Sequence, residues 1–267
     1  MDFSPGLDFE TKIVAKPDAA LLLEKELNRP SYKPEPIALG ANTDAYQPVE
    51  RKMKITRGVL EVLSSHNHPV IIITKSALIE RDIDLLEPMA TKNLVKVIVS
   101  VTSLDHHLSR HLEPRAASPK RRLQIINKLT VANIPVGILF APIIPILNDN
   151  EMESVLSDCA NSGAISAAYV LLRLPMEVKT LFEQWLQQHY PLKHKHVMNC
   201  LSELRDGKVN SAKFGERMSG TGVYADIISQ RFRLACKHNN LNTDEIQLNT
   251  QQFRAPQTVG VQLDLFS

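Results

Sequence analysis

Five short apolar runs, each followed by a helix-like stretch, constrain this chain more than any other feature. They are Pro36–Ala41 (PIALGA), Pro69–Thr74 (PVIIIT), Leu94–Val101 (LVKVIVSV), Pro135–Ala141 (PVGILFA) and Ala167–Arg173 (AAYVLLR). Their β-branched residues run nearly continuously instead of alternating with polar ones, the pattern of parallel strands covered on both faces. Between them the apolar residues switch to helical spacing. Met53, Leu60 and Leu63 mark a helix over 50–64, and Leu78, Ile79, Leu85 and Leu86 one over 76–90. Leu123, Ile126 and Leu129 follow Ser118-Pro119, an N-cap with Pro at the first helical position. Met152, Val155, Leu156 and Cys159 mark another helix over 148–162. Successive strands begin about 25 to 40 residues apart, the rhythm of repeated βα units. The predicted class is α/β, as a barrel, a partial barrel or a doubly wound sheet.

The pattern changes after Pro175. Val178, Leu181, Phe182, Trp185 and Leu186 form a helical stripe, and further helices are expected near 194–205 and 222–236. Residues 1–175 are therefore read as the α/β domain and 176–240 as a helical C-terminal extension. Residues 241–267, rich in Asn, Gln and Thr without periodicity, are read as a mobile tail.

Composition excludes several classes. With 31 Lys and Arg against 29 Asp and Glu the formal charge is +2, so no global electrostatic case for nucleic acid exists. Cys159, Cys200 and Cys236, at gaps of 41 and 36 residues, match no common zinc or iron–sulfur spacing, and three scattered cysteines suit a reducing compartment. The start MDFSPGLDFE lacks the basic segment and apolar run of a signal peptide. The longest apolar stretch, Ile134–Leu147, is too short to span a bilayer and is broken by Pro135, Gly137, Pro142 and Pro145. A cytoplasmic protein without membrane association is expected.

In parallel α/β folds, chemistry sits at the carboxyl ends of the strands. These ends carry Gly40 to Gln47, Thr74-Lys75-Ser76, Ser100-Val101-Thr102, Asn148-Asp149 and Arg173. Such side chains cap helices as readily as they bind ligands; as a set they point to one small-molecule pocket. Lys75, between a strand and a helix start, suits an anion, and equally a snorkelling side chain. Arg115, in Glu113-Pro114-Arg115, offers a fork for a carboxylate. Lys120-Arg121-Arg122 reads as a solvated helix face, with phosphate contact as the alternative. His66-Asn67-His68 precedes a strand and lies at the end away from the pocket. His106, His107 and His111 share a helix without a third metal ligand in view. Gly220-Thr221-Gly222 reads as a turn, with anion binding through its backbone as the alternative. No metal ligand set and no catalytic residue is assigned.

The segments SPGLDFETKIVAKP (4–17), IALGANTDAYQPVE (37–50), VIIITKSALIERDIDLL (70–86), VSVTSLD (99–105), LEPRAASPKRRL (112–123), PVGILFAPIIPILND (135–149), YVLLRLP (169–175) and FGERMSGTGVYA (214–225) resemble one family. It is the radical SAM superfamily, in its spore photoproduct lyase-like (DNA repair photolyase) branch. The resemblance covers residues 4–240 and implies a partial (β/α)6 TIM-like barrel. It also implies S-adenosylmethionine and a 4Fe-4S cluster at the barrel mouth, which together generate a 5′-deoxyadenosyl radical. It places Asn42, Thr43 and Asp44 at the methionine end of the cofactor and Ser100 and Thr102 near its ribose. Lys75 and Arg115 fall to its carboxylate or to substrate. The family's C-x3-C-x2-C loop would lie just upstream of Ser4. The chain is therefore expected to be a truncated member lacking that loop and the first strand, unable as written to hold the cluster or perform radical chemistry. Ile146 stands where the family usually has Gly, and the hydrogen-donor cysteine of the lyase has no identified counterpart.

Gln262-Leu263-Asp264-Leu265-Phe266 resembles the bacterial sliding-clamp-binding motif, with Leu265 and Phe266 suited to an apolar groove. Two functions follow: a radical SAM lyase acting on nucleic acid in DNA repair, or a non-catalytic clamp-associated interaction protein. An ordinary phosphate-binding α/β-barrel enzyme would explain Lys75 but not the whole motif set.

Overall fold

A computed structural model describes residues 12–205, 218–244 and 246–255. Its order is α1 (Ala19–Leu27), β1 (Ile37–Leu39), α2 (Glu50–Met53), α3 (Ile55–Ser65), β2 (Val70–Thr74), α4 (Ile83–Ala90), β3 (Val95–Ser100), α5 (His106–Leu112), α6 (Pro119–Val131), β4 (Val136–Ile143), α7 (Met152–Asn161), β5 (Ser166–Leu171), α8 (Val178–His189), α9 (His194–Glu203) and α10 (Val223–His238). All five expected strands form, within a few residues of the apolar runs.

The strands pair in the order β1-β2-β3-β4-β5, all parallel, in registers such as Ile37↔Val70, Val70↔Val95, Val97↔Val136 and Gly137↔Ser166. A doubly wound sheet reverses its strand order at a switch point; this one does not. With the strands in sequential order, the right-handed rule for parallel crossovers puts the helices on one side, so the sheet curls as a barrel does. β1 and β5 are not partners, so the barrel is partial and open.

That geometry corrects one expectation. The strands are not equally covered on both faces. Val70, Ile72, Val95, Val97, Val99, Val136 and Ile138 are fully buried against the helices, whereas Ile71, Ile73, Lys96, Ile98 and Leu139 on the concave face are half-buried. Near-continuous β-branching hid an alternation that only the curvature of the sheet reveals.

The helix expected over 50–64 breaks at Lys54, which turns left-handed at φ 52°. Glu50, 4% exposed, receives the Thr56 amide at 3.0 Å and so caps α3 from the preceding turn. The Ser118 N-cap forms as expected, its hydroxyl accepting from the Arg121 amide, with Pro119 in the first turn.

The C-terminal helices share one apolar core with the sheet through Phe182, Leu186, Val197, Leu201, Ile228 and Phe232. The segments on either side of α10 also cover the open edge of β5. Met218 accepts the Leu171 amide at 2.9 Å, and the Asn242 side chain exchanges two bonds with the Ala167 backbone (2.8 and 3.0 Å), as a neighbouring strand would.

Residues 246–255, expected to be mobile, are instead anchored at the amino ends of the strands. The Asn249 amide donates to the Asn93 carbonyl and the Arg254 amide to that of His66, both at 2.8 Å. Phe253 packs on Tyr32, His66 and His68 with ring centroids 5.5, 6.4 and 5.6 Å away. His68 donates through Nδ1 to the Pro69 carbonyl and accepts the Tyr32 hydroxyl at Nε2, and burial holds its pKa below the usual histidine value. The His66-Asn67-His68 triplet is thus packed structure away from the mouth.

Candidate functional site

The loops after β1, β2 and β3 are tied together by carboxylates. Gly40, at φ +87°, lets the end of β1 press against β2: a Cβ there would stand 2.0 Å from the Ile73 carbonyl oxygen. The chain then turns so that Asp44 faces the end of β2. Oδ1 of Asp44 accepts from the Tyr46 amide (2.9 Å) and the Thr74 hydroxyl (2.7 Å), and Oδ2 from the Lys75 amide (2.9 Å). Asp44 therefore fixes the loop, while Asn42 and Thr43 beside it stay exposed.

Glu113 forms the second junction. Its Oε1 takes the Lys75 ammonium at 2.5 Å, and its Oε2 takes the Arg122 guanidinium at 2.6 Å and lies 3.1 Å from the Thr102 hydroxyl. The side chains of Glu113 and Arg122 are 9% and 2% exposed, against 40% for Lys75. Burial alone would raise the Glu113 pKa, but Arg122 and Lys75 outweigh it and hold the carboxyl below its usual range. Arg122 also donates to the Ala117 and Ser100 carbonyls at 2.8 and 2.9 Å. It is not part of a solvated face: the structure separates it from Lys120, which is exposed. Arg122 stands one turn before the buried Ile125 and Ile126 and two before Leu129, a spacing that could have assigned it to the buried side of the helix.

The loop after β4 is held from inside. Asn148, fully buried, accepts the Ile144 amide at Oδ1 and donates through Nδ2 to the Thr102 and Pro142 carbonyls. Asp149 accepts the Ile146 amide (2.7 Å) and the Tyr224 hydroxyl (2.6 Å), linking this loop to α10. Glu151 accepts from the Ser103 hydroxyl and the Leu104 amide, securing the loop after β3. Ile146 lies at φ 70°, a left-handed conformation that costs a β-branched residue about 1–2 kcal/mol. Relief of that strain offsets lost packing, so Ile146→Gly is expected to change stability by less than about 1 kcal/mol. The same change at the buried strand residue Ile138 should cost about 4 kcal/mol, read by urea unfolding.

Of the residues expected at the site, Asp44, Lys75, Ser100 and Thr102 are joined through Glu113, Arg122 and the loop backbones. Asn42, Thr43 and Arg115 are exposed around them. The sequence reading missed Glu113 as the centre and Arg122 as its buried partner. A separate cavity of about 550 Å³ lies beside β1, lined by residues of 12–19, by Leu39 and Gly40, and by Ile55, Thr56 and Val59 of α3. Of the expected site residues only Thr43 and Asp44 reach it, and its walls are mainly apolar.

A family model described as the radical SAM superfamily matches residues 13–159. The chain belongs to the radical SAM superfamily. An uncharacterized protein of Mycobacterium tuberculosis is 34% identical over 193 residues, 72% of this chain and 57% of the relative. An uncharacterized protein of Methanocaldococcus jannaschii is 26% identical over 179 residues, 66% of each chain. The chain thus spans just over half the length of the mycobacterial relative. Spore photoproduct lyase complexed with dinucleoside spore photoproduct superposes with a TM-score of 0.55 at 16% identity, over 83% of this chain and 63% of that one. The likeness at that identity is one of fold.

Membership of the radical SAM superfamily implies S-adenosylmethionine and a 4Fe-4S cluster. The donor set for a cluster is not found among the described residues. No group of three His, Cys, Asp or Glu side chains there is placed to hold a metal ion. Cys159, Cys200 and Cys236 stand on α7, α9 and α10, and burial raises the pKa of each thiol, against the thiolate character a ligand needs. The chemistry of the mouth does fit S-adenosylmethionine, whose methionine end carries an ammonium and a carboxylate: Glu113 and Lys75 offer the opposite pair. Among the described residues no helix is long and apolar enough to cross a membrane.

Proposed function

We propose that this chain carries the S-adenosylmethionine- and substrate-binding mouth of a radical SAM lyase of the spore photoproduct lyase-like branch, acting on nucleic acid in DNA repair. The observation that carries this reading is the Lys75–Glu113 pair at the carboxyl ends of β2 and β3. Lys75 is exposed enough to turn from Glu113 to a ligand carboxylate, and Glu113 then keeps Arg122 and Thr102 and is not stranded as a buried charge. The freed Oε1 suits the ligand's ammonium. Asn42 and Thr43 present polar groups to the same end, Asp44 holds their loop in place, and this reading assigns Ser100 and Thr102 to the ribose.

The cofactor pair supplies radical initiation when both groups are bound; the residues described here contribute binding and orientation. The whole protein's activity depends on a cluster that they do not hold. Calorimetry with S-adenosylmethionine tests the proposal. Lys75→Met and Arg115→Ala should each weaken binding about tenfold or more. Unchanged affinity in both variants, or no binding by the parent chain, overturns the assignment.

A second proposal concerns the pentapeptide Gln262–Phe266, which lies outside the described residues. The chain reaches Ala255 just after Arg254 bonds to His66, on the face opposite the mouth. The tail that would engage a sliding clamp thus leaves the described residues on that face. With a formal charge of +2, recruitment by a clamp would supply the DNA proximity that net charge does not. Clamp pull-down should be lost in Leu265→Ala/Phe266→Ala; retention in that variant, or absence in the parent, refutes it.

A further inference from the structure

The formal charge of +2 conceals an uneven distribution at the carboxyl ends of β1 and β2. The carboxylates there are engaged inside the fold. Asp44 receives the Thr74 hydroxyl and the Tyr46 and Lys75 amides. Glu50 accepts the Thr56 amide and stands 3.6 Å from the Arg81 guanidinium. Asp82, fully buried, holds Arg57 and Arg81, while Glu61 and Asp84 are paired with Arg57. The cations of α2 and of the turn that follows it have no such partners. They are Arg51, Lys52 and Lys54, all exposed, and among the described residues their side chains make no hydrogen bond or ion pair. Arg51 and Lys54, three residues apart, are like charges at a spacing that disfavours a helix.

The backbone that carries them is fastened to the mouth. The Glu50 amide donates to the Gln47 carbonyl and Arg81 to the Glu50 carbonyl, both at 2.9 Å, and the Thr56 hydroxyl donates to the Ala45 carbonyl. The three cations therefore stand at a fixed place beside the loop after β1. A fourth, Lys120, is likewise exposed and unpaired. It lies in the first turn of α6, two residues before Arg122, which Glu113 binds. The bonds from Asp44 to the Lys75 amide and from the Lys75 ammonium to Glu113 connect the two sides. Cations thus flank the mouth, and Asn42 and Thr43, exposed on the loop between them, are polar.

We propose that Arg51, Lys52 and Lys54, with Lys120 across the mouth, form a contact surface for the phosphate backbone of a nucleic acid. A polynucleotide presents successive phosphates that neighbouring basic side chains neutralise together, releasing counterions. A single small anion would engage one of these cations and leave the rest unpaired. An anionic membrane would need apolar side chains among the basic ones, and Asn42 and Thr43 do not supply them. The contact is local and so needs no large net charge. It deepens the proposed function and rests on it, by naming the part of this chain that would hold the nucleic acid at the mouth.

The test measures binding of the full chain to a labelled oligothymidylate and to a labelled duplex by fluorescence anisotropy over a range of salt. Arg51→Gln/Lys52→Gln/Lys54→Gln should weaken at least one of them about tenfold or more at low salt, and lower the slope of log affinity against log salt by about two to three. Lys25→Gln/Arg233→Gln/Lys237→Gln removes the same charge from exposed positions on α1 and α10 and should weaken binding less than about threefold. All the substituted side chains are exposed, so both variants should melt within about 2 °C of the parent, and a loss of binding is not a loss of fold. Equal losses in the two variants, unchanged affinity for both probes in the first, or no nucleic acid binding by the parent overturns the proposal. Binding to phosphatidylglycerol vesicles in place of the oligonucleotides, dependent on the same three residues, overturns it as well. Calorimetry with S-adenosylmethionine separates this surface from the proposed function, since the first variant should bind that ligand as the parent does. Loss of oligonucleotide binding in a chain that does not bind S-adenosylmethionine at all would sustain the surface while removing that function.

Discussion

Glu113→Ala should lower stability by about 3–5 kcal/mol, because it removes the anion from between two cations, one of them buried. Arg122 cannot escape: at 2% side-chain exposure it has no route to water, and its remaining acceptors are the Ala117 and Ser100 carbonyls. For a chain of this size the loss corresponds to a fall in melting temperature on the order of 10 °C. Removing both charges in Glu113→Ala/Arg122→Met should recover much of it, since an apolar replacement leaves no uncompensated ion. If the double variant is as unstable as the sum of its parts, charge pairing is not what Glu113 contributes. The pH dependence has a definite sign. The folded carboxyl titrates below its unfolded value of about 4.3, so its stabilisation is complete above that pH and fades as pH falls through the folded pKa. Urea unfolding between neutral and acid pH should show a shallower acid decline in Glu113→Gln than in the parent.

Gly40→Ala should cost at least about 3 kcal/mol. A Cβ at this position faces the Ile73 carbonyl at 2.0 Å, and backbone oxygen in the middle of a parallel pair cannot rotate aside. The left-handed backbone adds about 1–2 kcal/mol for any L side chain, and the forced separation of β1 from β2 supplies the rest. The damage should spread to the mouth, since Asp44 reaches Thr74 and Lys75 only while the two strand ends stay close. Hydrogen exchange at the Lys75 amide should therefore accelerate with the loss of stability. Gly58→Ala is the matched control. Gly58 lies inside α3, and its added methyl would meet the Ala20 side chain at an ordinary 3.5 Å. That change should stabilise by about 0.5–1 kcal/mol. Equal effects at the two glycines would refute the close-approach account.

What the sequence revealed follows from the range of the forces involved. β-branched runs such as Val70–Thr74 and the Ser118-Pro119 cap are local signals, and they placed the strands and the start of α6, whereas the helices expected from 76 and 148 become α-helical only at Ile83 and Met152, after short 3-10 turns. The position of Lys75 suits an anion and a snorkelling side chain equally; its partner is an anion, the chain's own Glu113, 38 residues away, which no local pattern announces. Arg122 was obscured by the neighbouring Lys120 and Arg121, although the helical period carried the answer. The break at Lys54 has no sequence marker, because Lys is an ordinary helix former forced left-handed by the Glu50 cap and the packing around it. The anchoring of residues 246–255 was illegible for a simpler reason: a segment held by two backbone bonds and one ring needs no periodicity.

That anchored segment orders events during synthesis. The backbone carbonyls it occupies, on His66 and Asn93, precede β2 and β3, which leave the ribosome long before Asn249 and Arg254 exist. The amino end of the sheet must therefore wait with its acceptors wet and the Tyr32–His68 pair uncovered, while the mouth can assemble as soon as Glu113, Arg122 and Asn148 have emerged. Contacts so distant in sequence form late and slowly. A nascent chain of this protein would thus complete the carboxyl end of its sheet first and the amino end last.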